Sequence, residues 1–236
     1  MKNTLTSALF AGLTLLPTMQ ARAEEGDWVV RLRAATISPN EDSKLGSTVN
    51  TLLGGTVMSP GAELSVSDNT IPEIDISYYF NKHLAAELIL ALGTEHNVRI
   101  TDDALTTIGN QPLGSVDALP PTLTMQWHFN PDEMFDPYVG AGINYTFMLD
   151  RNAKGSRGAI AGNKIKIDRD SWGYALQAGI DINLADGWLI NADVKYIDMD
   201  TKVKLRGAAT NNLWRKVDSL DIDPWVIGIG IGKRFN

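Results

Sequence analysis

Three histidines, no cysteine and pairs of charged residues spaced two apart are what this 236-residue chain offers for chemistry. Without cysteine there is no disulfide, thiolate metal site or thiol nucleophile. His83, His96 and His128 stand at no spacing that would hold a metal, and none accompanies a recognisable nucleophile. The run GIGIGK at 228–233 looks like a phosphate-binding glycine loop. Such loops present the anion to a following helix N-terminus, and only three residues remain after it. No catalytic residue, metal or cofactor is therefore expected. The spaced charges are more informative. Arg31 and Arg33, Glu73 and Asp75, and Asp193 and Lys195 each form an i, i+2 pair, which one face of a strand carries together.

The elements that position them read as strands. Segments of about ten residues alternate in polarity with period two at 27–37, 72–80, 83–93, 121–129, 138–148, 172–184, 188–197 and 225–235. In 27–37, Trp28, Val30, Leu32 and Ala34 share one face and Arg31 and Arg33 the other. In 83–93, Leu84, Ala86, Leu88, Leu90 and Leu92 oppose Glu87 and Ile89. In 188–197, Trp188, Ile190, Ala192, Val194 and Tyr196 oppose Asn191, Asp193 and Lys195. Short links at 81–82, 130–137 and 185–187 alternate with long ones at 38–71, 94–120, 149–171 and 198–224. That is the arrangement of turns and extracellular loops in an up-and-down transmembrane barrel. Aromatic residues stand at the strand ends, where membrane interfaces would fall. The fold class expected is an all-β, eight-stranded antiparallel β-barrel of the bacterial outer membrane.

Residues 1–23 look like an address. Lys2 precedes the apolar run 8–16, and Ala21-Arg22-Ala23 presents small residues where a signal peptidase reads. Cleavage there would leave residues 24–236 as the barrel and take the net charge from −7 to −9. So acidic a chain argues against a nucleic-acid partner.

In such a barrel the apolar face meets lipid, and the other face fills a narrow interior. Arg31, Arg33, Glu87, Asp193 and Lys195 then form a polar network in the lumen, as a closed ionic plug or as the wall of a polar path. Gly228, Gly230 and Gly232 share the face of Arg31 and Arg33, and closure leaves room there for two guanidinium groups. Loop 38–70 is unusually apolar; Leu52, Leu53 and Val57 are candidates to line an external pocket. Loop 150–170 carries six basic residues against three acids, a surface for lipopolysaccharide phosphates or simply a solvated loop. Leu119-Pro120-Pro121 opens the fourth strand. Proline cannot donate to a ladder, so the pair either breaks the strand start or opens a defect in the barrel wall.

The blocks GDWVVRLRAATISP (26–39), LPPTLTMQWHF (119–129), DPYVGAGINYT (136–146), DSWGYALQAGIDI (170–182), DGWLINADVKYIDMDT (186–201) and DPWVIGIGIGKRF (223–235) resemble the outer-membrane protein W (OmpW) family, which includes AlkL-type proteins of hydrocarbon-using bacteria. The resemblance implies an eight-stranded barrel with a hydrophobic channel in its extracellular part. Small hydrophobic molecules would leave it sideways into the membrane near the prolines, making Leu119, Pro120 and Pro121 a lateral gate. It also implies an apolar channel contact at Ile89. The family's second contact, a tryptophan, is Lys195 here, and Asn236 follows the aromatic residue on which such chains usually end. The expectation is a monomeric channel for passive uptake of small hydrophobic molecules, among outer-membrane lipids and lipopolysaccharide. The alternative is a narrow pore for small polar solutes or ions.

Overall fold

The computed structural model describes residues 23–150 and 153–236. The predicted signal lies outside them except for its last residue. The chain runs β1 (Trp28–Ser38), α1 (Leu45–Leu53), β2 (Glu63–Val66), β3 (Asn69–Tyr79), β4 (Leu84–Ala91), β5 (Thr94–Thr101), β6 (Gln111–Leu119) and β7 (Thr122–His128). It continues through β8 (Phe135–Asp150), β9 (Ala153–Lys154), β10 (Lys164–Ile167), β11 (Asp170–Asn183), β12 (Trp188–Ile197), β13 (Asp200–Arg206), β14 (Arg215–Asp221) and β15 (Trp225–Phe235).

Eight of these strands close a ring. The order is β11-β12-β15-β1-β3-β4-β7-β8, and β8 pairs back to β11, all antiparallel. They are the eight segments that alternate in the sequence. Their outward faces leave Leu32, Ile143, Ile227 and Ile229 more than half exposed, while inward Arg31, Asp75 and Glu87 are wholly buried. A continuous apolar belt of this kind is stable only in lipid, where the closed ring pairs the strands' backbone groups with one another. Leu88→Arg or Ile229→Arg should therefore impair insertion by about 2–4 kcal/mol. Heat-modifiable gel migration after folding into vesicles checks this, and normal folding of both would reject the assigned faces.

The long connections form a second tier rather than irregular loops. β2, β5 and β6 extend the sheet from the upper part of β8, and β14-β13-β10-β9 form a separate four-stranded sheet. The helix α1 packs on this tier through Leu45, Gly46 and Val49. It ends at Gly54, whose left-handed φ of 70° suits glycine. A Cβ on Gly46 would fall 2.0 Å from the Ser59 carbonyl oxygen, so the helix can lie this close only with glycine there.

Candidate functional site: an apolar chamber above a charged plug

Each barrel strand changes character at one height. Reading upward along the inward faces, Arg31 and Arg33 give way to Ala35 and Ile37, and Glu73 to Ile71. Likewise Gln177 gives way to Ala175, Lys195 to Ile197, and Gly228 to Val226. The lower set is polar and the upper set apolar, so the interior has two compartments.

The lower compartment is a linked set of ion pairs. Arg31 reaches Glu87 at 3.1 Å and Asp181 at 2.5 Å. Arg33 lies 2.6 Å from Asp75, 2.8 Å from Asp193 and 2.9 Å from Glu73. Lys195 reaches Glu73 at 2.8 Å and Asp193 at 3.1 Å. Gln126 and Gln177 donate to Glu87, and Gln177 also donates to Asp193. The glycines make room as their register requires: Arg31 faces Gly232 and Arg33 faces Gly230 across the seam. A Cβ would fall 2.9 Å from Arg31 Cγ at Gly232 and 2.8 Å from Arg33 Cγ at Gly230. None of the five sequence-predicted network residues is more than 6% exposed.

Nearer the short-turn end, His128 Nδ1 contacts Asp136 at 2.7 Å, and its Nε2 lies 3.1 Å from the Tyr79 hydroxyl. His128, Asp136 and Asp181 bring one ligand-type atom each within 4.8 Å of one another, a grouping that sequence spacing did not reveal. Cross-strand register assembles it, since Asp181 stands opposite Asp136. The Arg31 guanidinium already satisfies Asp181, and Asp136 already holds His128. The donor set is thus that of a hydrogen-bonded cluster rather than an open metal site.

The upper compartment is an apolar chamber. Ile37, Met148, Ile197 and Val226 contribute from below and Leu64, Val98, Leu113, Val116, Ile167 and Val203 from the outer tier. The surface facing that space is almost wholly apolar. The predicted lining residues lie elsewhere. Leu53 and Val57 pack against the outer apolar core beside α1, and Leu52 is partly exposed. Ile89 faces inward at the ladder position of Asp75 and Thr122, off the chamber wall. Their apolar character was legible, but α1 and the segment after it turn Leu53 and Val57 onto the tier's own core.

Pro120 is buried and lines the chamber; Pro121 is half-buried, and Leu119 is the ladder partner of Phe147. The β4–β7 ladder ends at Ile89–Thr122, and pairing resumes on the same side at Thr94–Ala118 of β5 and β6. Between these points no ladder pair joins residues 90–93 to 119–121. On the other side, Pro121 accepts from the Tyr145 amide at 3.1 Å. The Pro120 carbonyl is instead met by side chains, Thr122 Oγ1 at 3.2 Å and Asn144 Nδ2 at 3.4 Å. The seam beside the chamber is therefore unlaced.

Carboxylates crowd the outer tier near the chamber. Partial burial, then Asp223, Asp200 and Asp42, hold the Asp221 carboxyl above its ordinary range; burial, then Asp223 and Asp200, do the same at Asp198. A carboxyl raised in the folded chain binds protons more readily there than when unfolded. This corner should gain stability as pH falls toward the raised values and lose it as pH rises. Amide protection in β13 and β14, corrected for intrinsic exchange, should be greater at about pH 5 than at about pH 7.

The profile of the OmpW family matches residues 24–235. Outer membrane protein W of Escherichia coli K12 is 36% identical over 236 residues, covering 98% of this chain and 99% of that protein. Outer membrane protein AlkL of Ectopseudomonas oleovorans is 26% identical, covering 93% of this chain and 86% of the relative. The crystal structure of the outer membrane protein OprG from Pseudomonas aeruginosa superposes with a TM-score of 0.76 at 30% identity. It covers 90% of this chain and 97% of OprG.

Proposed function

The chain belongs to the OmpW family and is an outer-membrane β-barrel, and from that footing we propose that it is a passive channel through which small apolar molecules cross the lipopolysaccharide leaflet. One observation carries this reading: an apolar chamber stands on a floor of buried ion pairs, with an unlaced stretch of barrel wall beside it at Pro120. Lipopolysaccharide makes the outer leaflet a poor solvent for hydrocarbons, so an apolar route through it speeds passage without any chemistry. Once in the chamber, a permeant keeps about 0.8 kcal/mol per CH₂ by remaining among apolar groups. Descending past Arg33, Glu73 and Lys195 would forfeit that gain and disturb paired charges. The sideways exit, between residues 90–93 and 119–121, leads to lipid instead.

The competing reading, a narrow polar pore, needs a path through the plug. The burial of Arg31, Arg33, Glu87, Asp193 and Lys195 supports the apolar route over it. Uptake by vesicles with a lipopolysaccharide outer leaflet separates the two. Graded alkanes should cross faster with the protein present, while amino acids and small ions should not. Ala118→Trp, which places an indole on the chamber wall beside Pro120, should sharply reduce alkane uptake. Alkane uptake no faster than in protein-free vesicles would reject the channel.

A further inference from the structure

The four-stranded sheet of the outer tier has two unlike faces. Ile165, Ile167, Val203, Leu205, Val217 and Leu220 pack inward on the apolar core. The other face collects cations beyond its barrel end, where Asp200 stands opposite Asp221. Its strands β9, β10, β13 and β14 carry eight of the chain's 21 lysines and arginines, although the chain as a whole is acidic. Register sets them directly against one another: Lys154 opposite Lys164, Lys164 opposite Arg206, Lys166 opposite Lys204, and Lys204 opposite Lys216. Like charges directly opposed across a ladder destabilise a sheet. Among the described residues of this face only Lys204 has an ion-pair partner, Asp168 at 2.9 Å. Trp214 stands exposed at the end of the β13–β14 hairpin, with the Lys166 ammonium 5.9 Å and the Arg206 guanidinium 6.0 Å from its ring centre.

The placement of this lattice in the envelope identifies what would neutralise it. Trp172, Tyr196 and Trp225 ring the outer ends of the barrel strands, the level of the membrane interface. Lys202 follows Tyr196 by six residues, so it lies within about 20 Å of that ring at ~3.3 Å per residue. The phosphates of the outer leaflet occupy this layer. We propose that the outward face of the β9–β10–β13–β14 sheet binds the phosphate groups of lipopolysaccharide. The cation lattice is then balanced by lipid phosphates, with Trp214 seated among the same headgroups. This clamp would hold the outer tier, and the chamber it walls, against the leaflet.

The test uses the full chain folded in phosphatidylcholine vesicles that contain lipopolysaccharide, dephosphorylated lipopolysaccharide or neither. Lys164→Gln, Lys166→Gln and Lys202→Gln are combined in one variant, all on the outward face and off the chamber wall. In phosphatidylcholine alone the variant should resist heat at least as well as the parent, because repulsion is relieved; that arm shows it folds. Lipopolysaccharide should raise the parent's heat resistance and leave the variant's nearly unchanged. Retention of lipopolysaccharide by the purified barrel should fall about 100-fold in the variant, at about fivefold per cation removed. Added salt should weaken the parent's retention steeply. Equal retention by parent and variant would overturn the proposal. So would dephosphorylated lipopolysaccharide acting as well as the intact lipid, which would instead mark recognition of its sugars.

Discussion

Replacing Pro120 and Pro121 together with alanine should yield a barrel that folds at least as well as its parent yet carries apolar compounds poorly. Each proline lacks an amide hydrogen, and in lipid no water is available to replace the missing ladder bond. Pro121 turns its carbonyl toward β8, where it accepts from the Tyr145 amide. By the alternation of an antiparallel ladder, the neighbouring Pro120 is the position that should face β4. There the ladder stops at Ile89–Thr122. Alanine at both positions restores two donors, the one at 120 facing β4 and the one at 121 facing β8, each contributing about 0.5–1.5 kcal/mol once paired. The seam between residues 90–93 and 119–121 should then close, and the chamber should lose its exit to lipid. Vesicle uptake of alkanes at matched protein content checks this, with small-ion leakage as the control that should not move. Uptake equal to the parent's would remove the lateral exit and leave the chamber needing another way out.

Lys195→Ala should have the largest effect on stability. The ammonium lies within 3.1 Å of both Glu73 and Asp193, and its loss leaves those two and Asp75 gathered around Arg33 alone. Removing one partner from a buried ion pair costs about 3–5 kcal/mol, because the remaining charge stays desolvated and uncompensated. Denaturant unfolding in detergent micelles or vesicles should register this loss, and Lys195→Arg should recover part of it by restoring the cation. Barrels that do fold should carry alkanes as the parent does, since Lys195 is not on the chamber wall. Abolished uptake in a well-folded Lys195→Ala barrel would instead route the permeant through the lumen.

The barrel itself was readable because its physical signature is local. A side chain's face on a strand depends only on whether its position is odd or even, so alternation identified all eight ring strands, and their ends agree to within three residues. The same rule put Arg31, Arg33, Glu87, Asp193 and Lys195 on inward faces. The alternation of short and long links ordered the strands. Residue type alone marked Pro120 and Pro121 as unable to lace a seam.

The outer tier was harder to read for reasons that are equally physical. KIKI at 164–167 and TKVKLR at 201–206 alternate as clearly as any barrel strand, but strands this short declare themselves only when partners supply the missing ladder bonds. α1 was unreadable from propensity, since Gly46, Thr48, Val49, Asn50 and Thr51 are weak helix formers held by packing under Ser59 and Ala62. The chamber could not be listed from sequence at all. Its walls combine Ile37, Val116, Ile197 and Val226, residues far apart in the chain and individually ordinary. Sequence by itself determined which residues face lipid and which face inward, because that choice has period two. Only the tertiary structure decided which inward residues meet at one height, because register and the closing of the β8–β11 seam set that height.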